Sequence, residues 1–162
     1  MAMLLFVSAC GFRPLYGEKQ TQPGQATINE SLSAIVVYPI SDRTGQQMHN
    51  LLRDRLNPLG QPDQPVYGLR VSLKEKLKSL GIRRDATATR ANLTMTAKYS
   101  LVDLRTKKVL FKDQSFSTNS YDILDDQFAT YVSENSARER ALTALSDQMK
   151  TRLAVYFEAN QI

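Results

Sequence analysis

Tyr67-Gly68-Leu69-Arg70-Val71-Ser72-Leu73-Lys74-Glu75-Lys76-Leu77-Lys78 alternates almost without interruption. Tyr67, Leu69, Val71, Leu73 and Leu77 fall on one parity, and Gly68, Arg70, Ser72, Lys74, Lys76 and Lys78 on the other. Successive strand side chains point to opposite faces, so this pattern predicts a strand with one buried and one wetted face. After a charged turn over Gly81–Ala88, which holds Arg83-Arg84-Asp85, the pattern returns. Ala91, Leu93, Met95, Ala97, Tyr99 and Leu101 point inward; Arg90, Asn92, Thr94, Thr96, Lys98 and Ser100 point outward. Asp103–Lys108 reads as a polar hairpin turn into a third strand over Val109–Thr118.

Working outward, Leu32–Ile40 carries the run Ser33-Ala34-Ile35-Val36-Val37-Tyr38 and closes on Pro39. Such a continuous apolar run predicts a strand buried on both faces, or at least central in its sheet. Ser41-Asp42 supplies N-cap chemistry, and Met48, Leu51, Leu52 and Leu56 form one helical stripe before Asn57-Pro58-Leu59-Gly60 stops it. Beyond the strands, the period becomes helical from Asp125-Asp126 to Asn160. Two acids suit the start of that helix. Leu142, Leu145, Met149, Leu153 and Tyr156 mark its buried stripe, and Phe128, Tyr131 and Val132 are expected to extend it upstream. The order is strand–helix–strand–strand–strand–helix. It predicts an α+β fold, with two helices packed on one face of a four-stranded, mostly antiparallel sheet.

Composition agrees with a folded domain: 42% of residues are hydrophobic and 23% charged. No apolar run reaches the length of about 18 residues that a transmembrane helix needs. The net charge of +5 and pI near 9.4 permit nucleic acid, anionic lipid or acidic glycan as partners without choosing among them. Groups for catalysis are scarce. His49 is the sole histidine, and there is no Gly-rich phosphate loop, nucleophile elbow or Cys/His cluster. No enzyme, cofactor or metal is expected, and Asp122, Asp125 and Asp126 read as helix-capping residues.

At the other end of the chain, Val7-Ser8-Ala9-Cys10 fits a lipobox, an aliphatic residue and two small ones before a cysteine. Cys10 is the only cysteine and has no disulfide partner within the chain. A diacylated thiol with an acylated amino group exceeds the two-chain threshold for stable membrane anchoring. Residues 1–9 are therefore read as the remnant of a lipoprotein signal. They carry no Lys or Arg, and their apolar run is shorter than a full h-region of roughly 7–15 residues. Residues 10–31 are the lipidated anchor and spacer, with Glu18–Glu30 polar and with almost nothing to bury, and 32–162 form a single domain.

Cys10-Gly11-Phe12-Arg13-Pro14-Leu15-Tyr16-Gly17 resembles the start of the mature LPS-assembly lipoproteins of the LptE family, in particular its alphaproteobacterial branch. Ile40-Ser41-Asp42-Arg43, Ser120-Tyr121-Asp122 and Arg138-Glu139-Arg140-Ala141 are similar to that family too, and the strand and helix order agrees with its fold. The resemblance implies a lipid-anchored, periplasm-facing protein of the outer membrane that plugs an LptD-type β-barrel and assists lipopolysaccharide (LPS) assembly. Gly11 after the cysteine, in place of Asp, fits release to the outer membrane. Two other readings stay open: an auxiliary lipoprotein of an ABC-type lipid transporter, and a scaffold lipoprotein that binds cell-wall polymer.

Arg70, Lys74 and Lys76 share the outward parity of their strand, as Arg90 and Lys98 do of the next. If the strands pair, a basic surface interspersed with Ser and Thr results, suited to phosphorylated lipid. The plainer reading is a solvated face whose lysines guard an edge; the resemblance favours LPS contact through these five residues. Nucleic acid is not expected, because Tyr67 and Tyr99 fall on the core parity and leave no aromatic platform among the cations. Cys10→Ala should abolish lipidation and leave the fold intact; metabolic labelling with a fatty-acid probe checks it, and label retained in the variant contradicts the anchor.

Overall fold

The structure, a computed structural model, describes residues 27–82 and 88–160. Cys10 and Arg83-Arg84-Asp85 lie outside the described residues. The elements run α1 (Ile28–Ser33), β1 (Ile35–Val37), α2 (Asp42–Leu56), β2 (Tyr67–Ile82), β3 (Ala88–Asp103), β4 (Val109–Asp122) and α3 (Gln127–Asn160). The sheet order is β1-β2-β3-β4, with β1 parallel to β2 and the other pairs antiparallel. This is the predicted α+β layer: α2 and α3 lie on one face of a mostly antiparallel sheet.

The alternation of β2 and β3 sets that layer. Leu69, Leu93, Met95, Ala97, Tyr99 and Leu101 are buried on the inner face. Against them α3 lays Ala137, Ala141, Leu142, Leu145, Met149, Leu153 and Phe157, all at most 1% exposed. An α-helix of 34 residues and a strand of 16 both span about 50 Å, so α3 is long enough to run the length of β3. Aromatic rings close one end: Tyr67 meets Phe157 at 5.2 Å and Phe111 meets Tyr156 at 5.0 Å between centroids.

α2 adds Met48, Leu52 and Leu56 to this core. Its start depends on Asp42, which adopts the left-handed φ of 66° and accepts the Gly45 N–H at 2.8 Å; Asp tolerates that conformation better than most residues. Ser41, which was expected to share the capping, makes no side-chain cap bond. Gly45 is required by close approach, because a Cβ there would stand 2.7 Å from Ile40 Cγ2 and 2.9 Å from the Ile40 carbonyl carbon.

Several expectations are corrected. The strand expected over Leu32–Ile40 is the three-residue edge strand β1, preceded by α1. Thr27 and Glu30 form a capping box at the start of α1, and Ser33 ends it, so only Ile35–Val37 are free to pair. That run looks central because helices cover it, with Ile35 and Val37 at most 2% exposed. Phe128, Tyr131 and Val132 are 74%, 53% and 47% exposed and do not extend the α3 stripe. The sheet-facing positions there are polar: Tyr121 donates to Glu134 Oε2 at 3.4 Å, and Arg138 reaches Glu75 on β2 at 2.8 Å. Hydrogen bonding to Glu75 is the main reason the Arg138 guanidinium is held more firmly protonated than usual, with Glu134 adding to it against the effect of burial. Leu77, on the core parity, is 48% exposed, because α3 packs on β3 and β4 and leaves the far end of β2 bare.

The third strand runs past Thr118 to Asp122, so Asp122 is a strand residue and caps no helix. Asp126 does cap α3, accepting the Phe128 and Ala129 N–H groups at 2.7 and 3.2 Å. Leu145→Asp should unfold the domain, at a cost of about 3 kcal/mol or more for an unpaired buried carboxylate. A melting temperature within a few degrees of the parent would show that α3 does not hold the core.

Candidate functional site

Among the described residues every helix lies on the inner face, and the outer face of β2, β3 and β4 is left uncovered. The registers place its side chains in rows across three strands. Arg70 stands opposite Ser100, Ser72 opposite Lys98, Lys74 opposite Thr96 and Lys76 opposite Thr94, with Leu80 opposite Arg90. β4 continues the rows with Lys112 beside Ser100, Gln114 beside Lys98, Phe116 beside Thr96 and Thr118 beside Thr94. Strand pairing therefore brings Arg70, Lys74, Lys76, Arg90 and Lys98 to one exposed face, interleaved with Ser and Thr.

These five cations are not equivalent. Arg90 Nε lies 3.0 Å from Asp122 Oδ1, both exposed, and Asp122 is the acid that the registers put on this face. The field around Arg90 is correspondingly weak. Arg70 is held in place differently. A Cβ on Gly68 would stand 2.7 Å from the Tyr38 ring, so glycine lets the ring lie on the strand backbone. The Arg70 guanidinium carbon sits 5.5 Å from the centre of that ring, a cation–π contact that fixes one corner of the face. Lys74, Lys76 and Lys98 form the exposed middle.

Two residues of this face escaped the reading of the sequence. Lys112 adds a cation on β4, and Phe116, 66% exposed, is an aromatic among the lysines and threonines. The signal was the parity of Lys112, Gln114, Phe116 and Thr118, which is weak because the inner parity of β4 is itself polar: Asp113, Ser115, Ser117 and Asn119. Burial pushes the Asp113 carboxyl up, but the Gln114 N–H and the Arg152 guanidinium outweigh it and hold it below the usual carboxylate range. His49 faces elsewhere, with Nδ1 3.3 Å from the Tyr38 carbonyl oxygen. A groove on the solvent side of α3, lined by Ser136, Glu139, Arg140, Thr143, Ala144 and Asp147, gathers no nucleophile with a base. Among the described residues no group of His, Cys, Asp and Glu is placed to hold a metal ion, and no helix is long and apolar enough to cross a membrane.

Residues 31–153 match the family model LptE, described as lipopolysaccharide assembly. The chain belongs to the LptE family. Protein RP188 of Rickettsia prowazekii (strain Madrid E) is 25% identical over 151 residues, covering 93% of this chain and 90% of that protein. A Caulobacter crescentus CB15 protein described as a lipoprotein shares the fold with a TM-score of 0.68 and 24% identity, over 82% of this chain and 96% of that one. A minor lipoprotein of Acinetobacter baumannii does so with a TM-score of 0.61 and 16% identity, over 76% of this chain and 92% of its own. Membership of LptE makes this an LPS-assembly protein of a non-enzymatic lipoprotein family. Since Asp122 masks Arg90, Asp122→Asn should raise retention on a phosphate-bearing cation exchanger, and Arg90→Gln, which leaves the carboxylate alone, should lower it. Retention of Asp122→Asn unchanged from the parent would show that the carboxylate does not offset Arg90.

Proposed function

We propose that this LptE-family chain is an outer-membrane lipoprotein, anchored through Cys10 and facing the periplasm, which seats in an LptD-type β-barrel and contacts LPS through its uncovered sheet face. The observation that carries the reading is that face itself: Arg70, Lys74, Lys76 and Lys98 stand exposed in adjacent rows with Ser72, Thr94, Thr96 and Ser100 between them. Phosphates of lipid A offer the anionic groups such cations bind, and the hydroxyls suit the sugar oxygens. Barrel lumens are polar, so a charged and hydroxylated surface can also be accommodated inside one. The family assignment supplies the biological setting, and the lipobox at Cys10 supplies the anchor.

Single exposed charge contacts contribute only about 0.2–1 kcal/mol, so one substitution can look silent. The triple variant Lys74→Glu/Lys76→Glu/Lys98→Glu should reverse the local field. Binding to purified LPS should weaken steeply and lose its salt dependence, with the melting temperature nearly unchanged, since none of the three is in the core. Undiminished LPS binding by the folded variant would make the face a merely solvated one. Weak binding together with failure to co-purify with the barrel would instead assign the lysines to the protein interface.

A further inference from the structure

The loop after α2 and the hairpin turn between β3 and β4 lie at one end of the sheet. The Asn57 side-chain amide donates to the Ser33 and Ile35 carbonyls at 2.8 and 3.1 Å, so α2 finishes where β1 begins. Ile35 pairs with Tyr67 and Tyr67 with Asp103, which brings the start of β2 and the end of β3 to that place. The Leu104 N–H donates to the Val66 carbonyl at 3.0 Å and ties the loop to the turn. The described chain begins here too. Ala34 accepts the Val66 and Tyr67 N–H groups, and the six residues of α1 keep Thr27 within about 10 Å of it.

Apolar and basic side chains are exposed together at this end. Leu59 is 101% exposed, and Val66 and Val109 are 48% and 47% exposed. Apolar residues exposed singly need no explanation, but these share their end with Arg105, Lys107 and Lys108, all exposed on the turn. Among the described residues none of the three forms an ion pair. The Asp103 carboxylate accepts the Arg105 and Thr106 N–H groups at 2.8 and 2.7 Å and is committed to the turn backbone. Asp63 is exposed in the loop, so the positive charge is concentrated on the hairpin. Lys107 closes that hairpin, its N–H donating to the Asp103 carbonyl at 2.8 Å, and holds a left-handed φ of 60°. Hairpins ordinarily give such a position to glycine or asparagine. An ammonium kept at the tip against local preference points to a partner outside the fold.

We infer that this end docks on the surface of an anionic phospholipid bilayer: Leu59 enters the interface, and Arg105, Lys107 and Lys108 meet the headgroup phosphates. Sixteen residues separate Cys10 from Thr27. Fully extended they reach about 55 Å, so the proposed anchor permits this contact without fixing it. The contact sets orientation: the strands rise from the bilayer, and Lys74, Lys76 and Lys98 are held clear of the headgroups. The inference stands without the anchor and without LPS contact by the sheet face, and its test uses neither.

The full chain carrying Cys10→Ala, without its lone cysteine and with no lipid attached, is the parent for the test. It should partition onto vesicles of phosphatidylethanolamine with phosphatidylglycerol, less so as salt rises, and far less onto phosphatidylcholine vesicles. In that background an environment-sensitive fluorophore on Leu59→Cys should shift to the blue on the anionic vesicles. The same label on Ser72→Cys, among the basic rows of the sheet face, should not. Lys107→Asn suits the left-handed backbone, so it should melt at or above the parent temperature. Combined with Lys108→Gln it should weaken partition about twentyfold, each basic residue near an anionic surface contributing roughly fivefold. Partition that does not favour the anionic vesicles overturns the inference. So does a double variant that partitions as the parent does. A blue shift at Ser72→Cys as large as that at Leu59→Cys would overturn it too, by giving the bilayer contact to the sheet face.

Discussion

Everything in this domain depends on burying one face of the sheet under α3. Small residues make the contact close: Ala91 and Ala97 on β3 lie under a helix that itself presents Ala137 and Ala141, all at most 2% exposed. Larger side chains then fill the space on either side, Leu93, Met95 and Leu101 from the strand and Leu142, Leu145 and Met149 from the helix. Because side chains alternate along a strand, committing one parity to that helix leaves the other parity to solvent. The basic face is thus the geometrical complement of the core.

The helix is also held by charge, at Arg138 where its apolar contacts thin out and at Asp147 and Arg152 beside its leucines. Arg138 joins Glu75 of β2 and Glu134 of its own helix, Arg152 joins Asp113 of β4 at 2.7 Å, and Arg55 of α2 joins Asp147 at 2.5 Å. The best shielded of these are the two pairs of Arg138, which is 17% exposed, with Glu75 and Glu134, each 27% exposed. Exposed ion pairs contribute little to stability. Their use here is directional: the Arg138 pairs fix the rotation and slide of α3 over the half of the sheet where leucines do not, and the Asp147 and Arg152 pairs tie the leucine-bearing half to α2 and β4.

That division explains what could be read in advance. β2 and β3 were legible because apolar and polar residues alternate over their length, and α2 because Met48, Leu52 and Leu56 leave little choice of phase. The first two turns of α3 were not, since Phe128, Tyr131 and Val132 have the spacing of a buried stripe while the buried side is held by Glu134 and Arg138. Hydrophobicity alone cannot separate those phases; the pairing of Arg138 with Glu75 decides, and it joins residues 63 positions apart. β4 was legible as a strand but not as a surface, because both of its faces are polar and Phe116 points outward. The edge position of β1 was hidden by helices that bury it as thoroughly as flanking strands would.

The Tyr67–Phe157 contact fixes where the chain enters the domain. Ala34 accepts the Val66 and Tyr67 N–H groups, so the N-terminal side of the chain arrives where β2 begins and α3 finishes. The cations are strung out along the strands from that point, Arg70 near the entry, Lys98, Lys74 and Lys76 successively beyond it, and Arg90 towards the far end. The two arginines at the ends of this row are engaged internally and the lysines between them are not: Arg70 is braced by an aromatic ring and Arg90 is paired with a carboxylate. An anionic molecule travelling along this face would meet a braced guanidinium, then unpaired ammonium groups, then a guanidinium already paired with Asp122, so the two ends of the surface are not interchangeable.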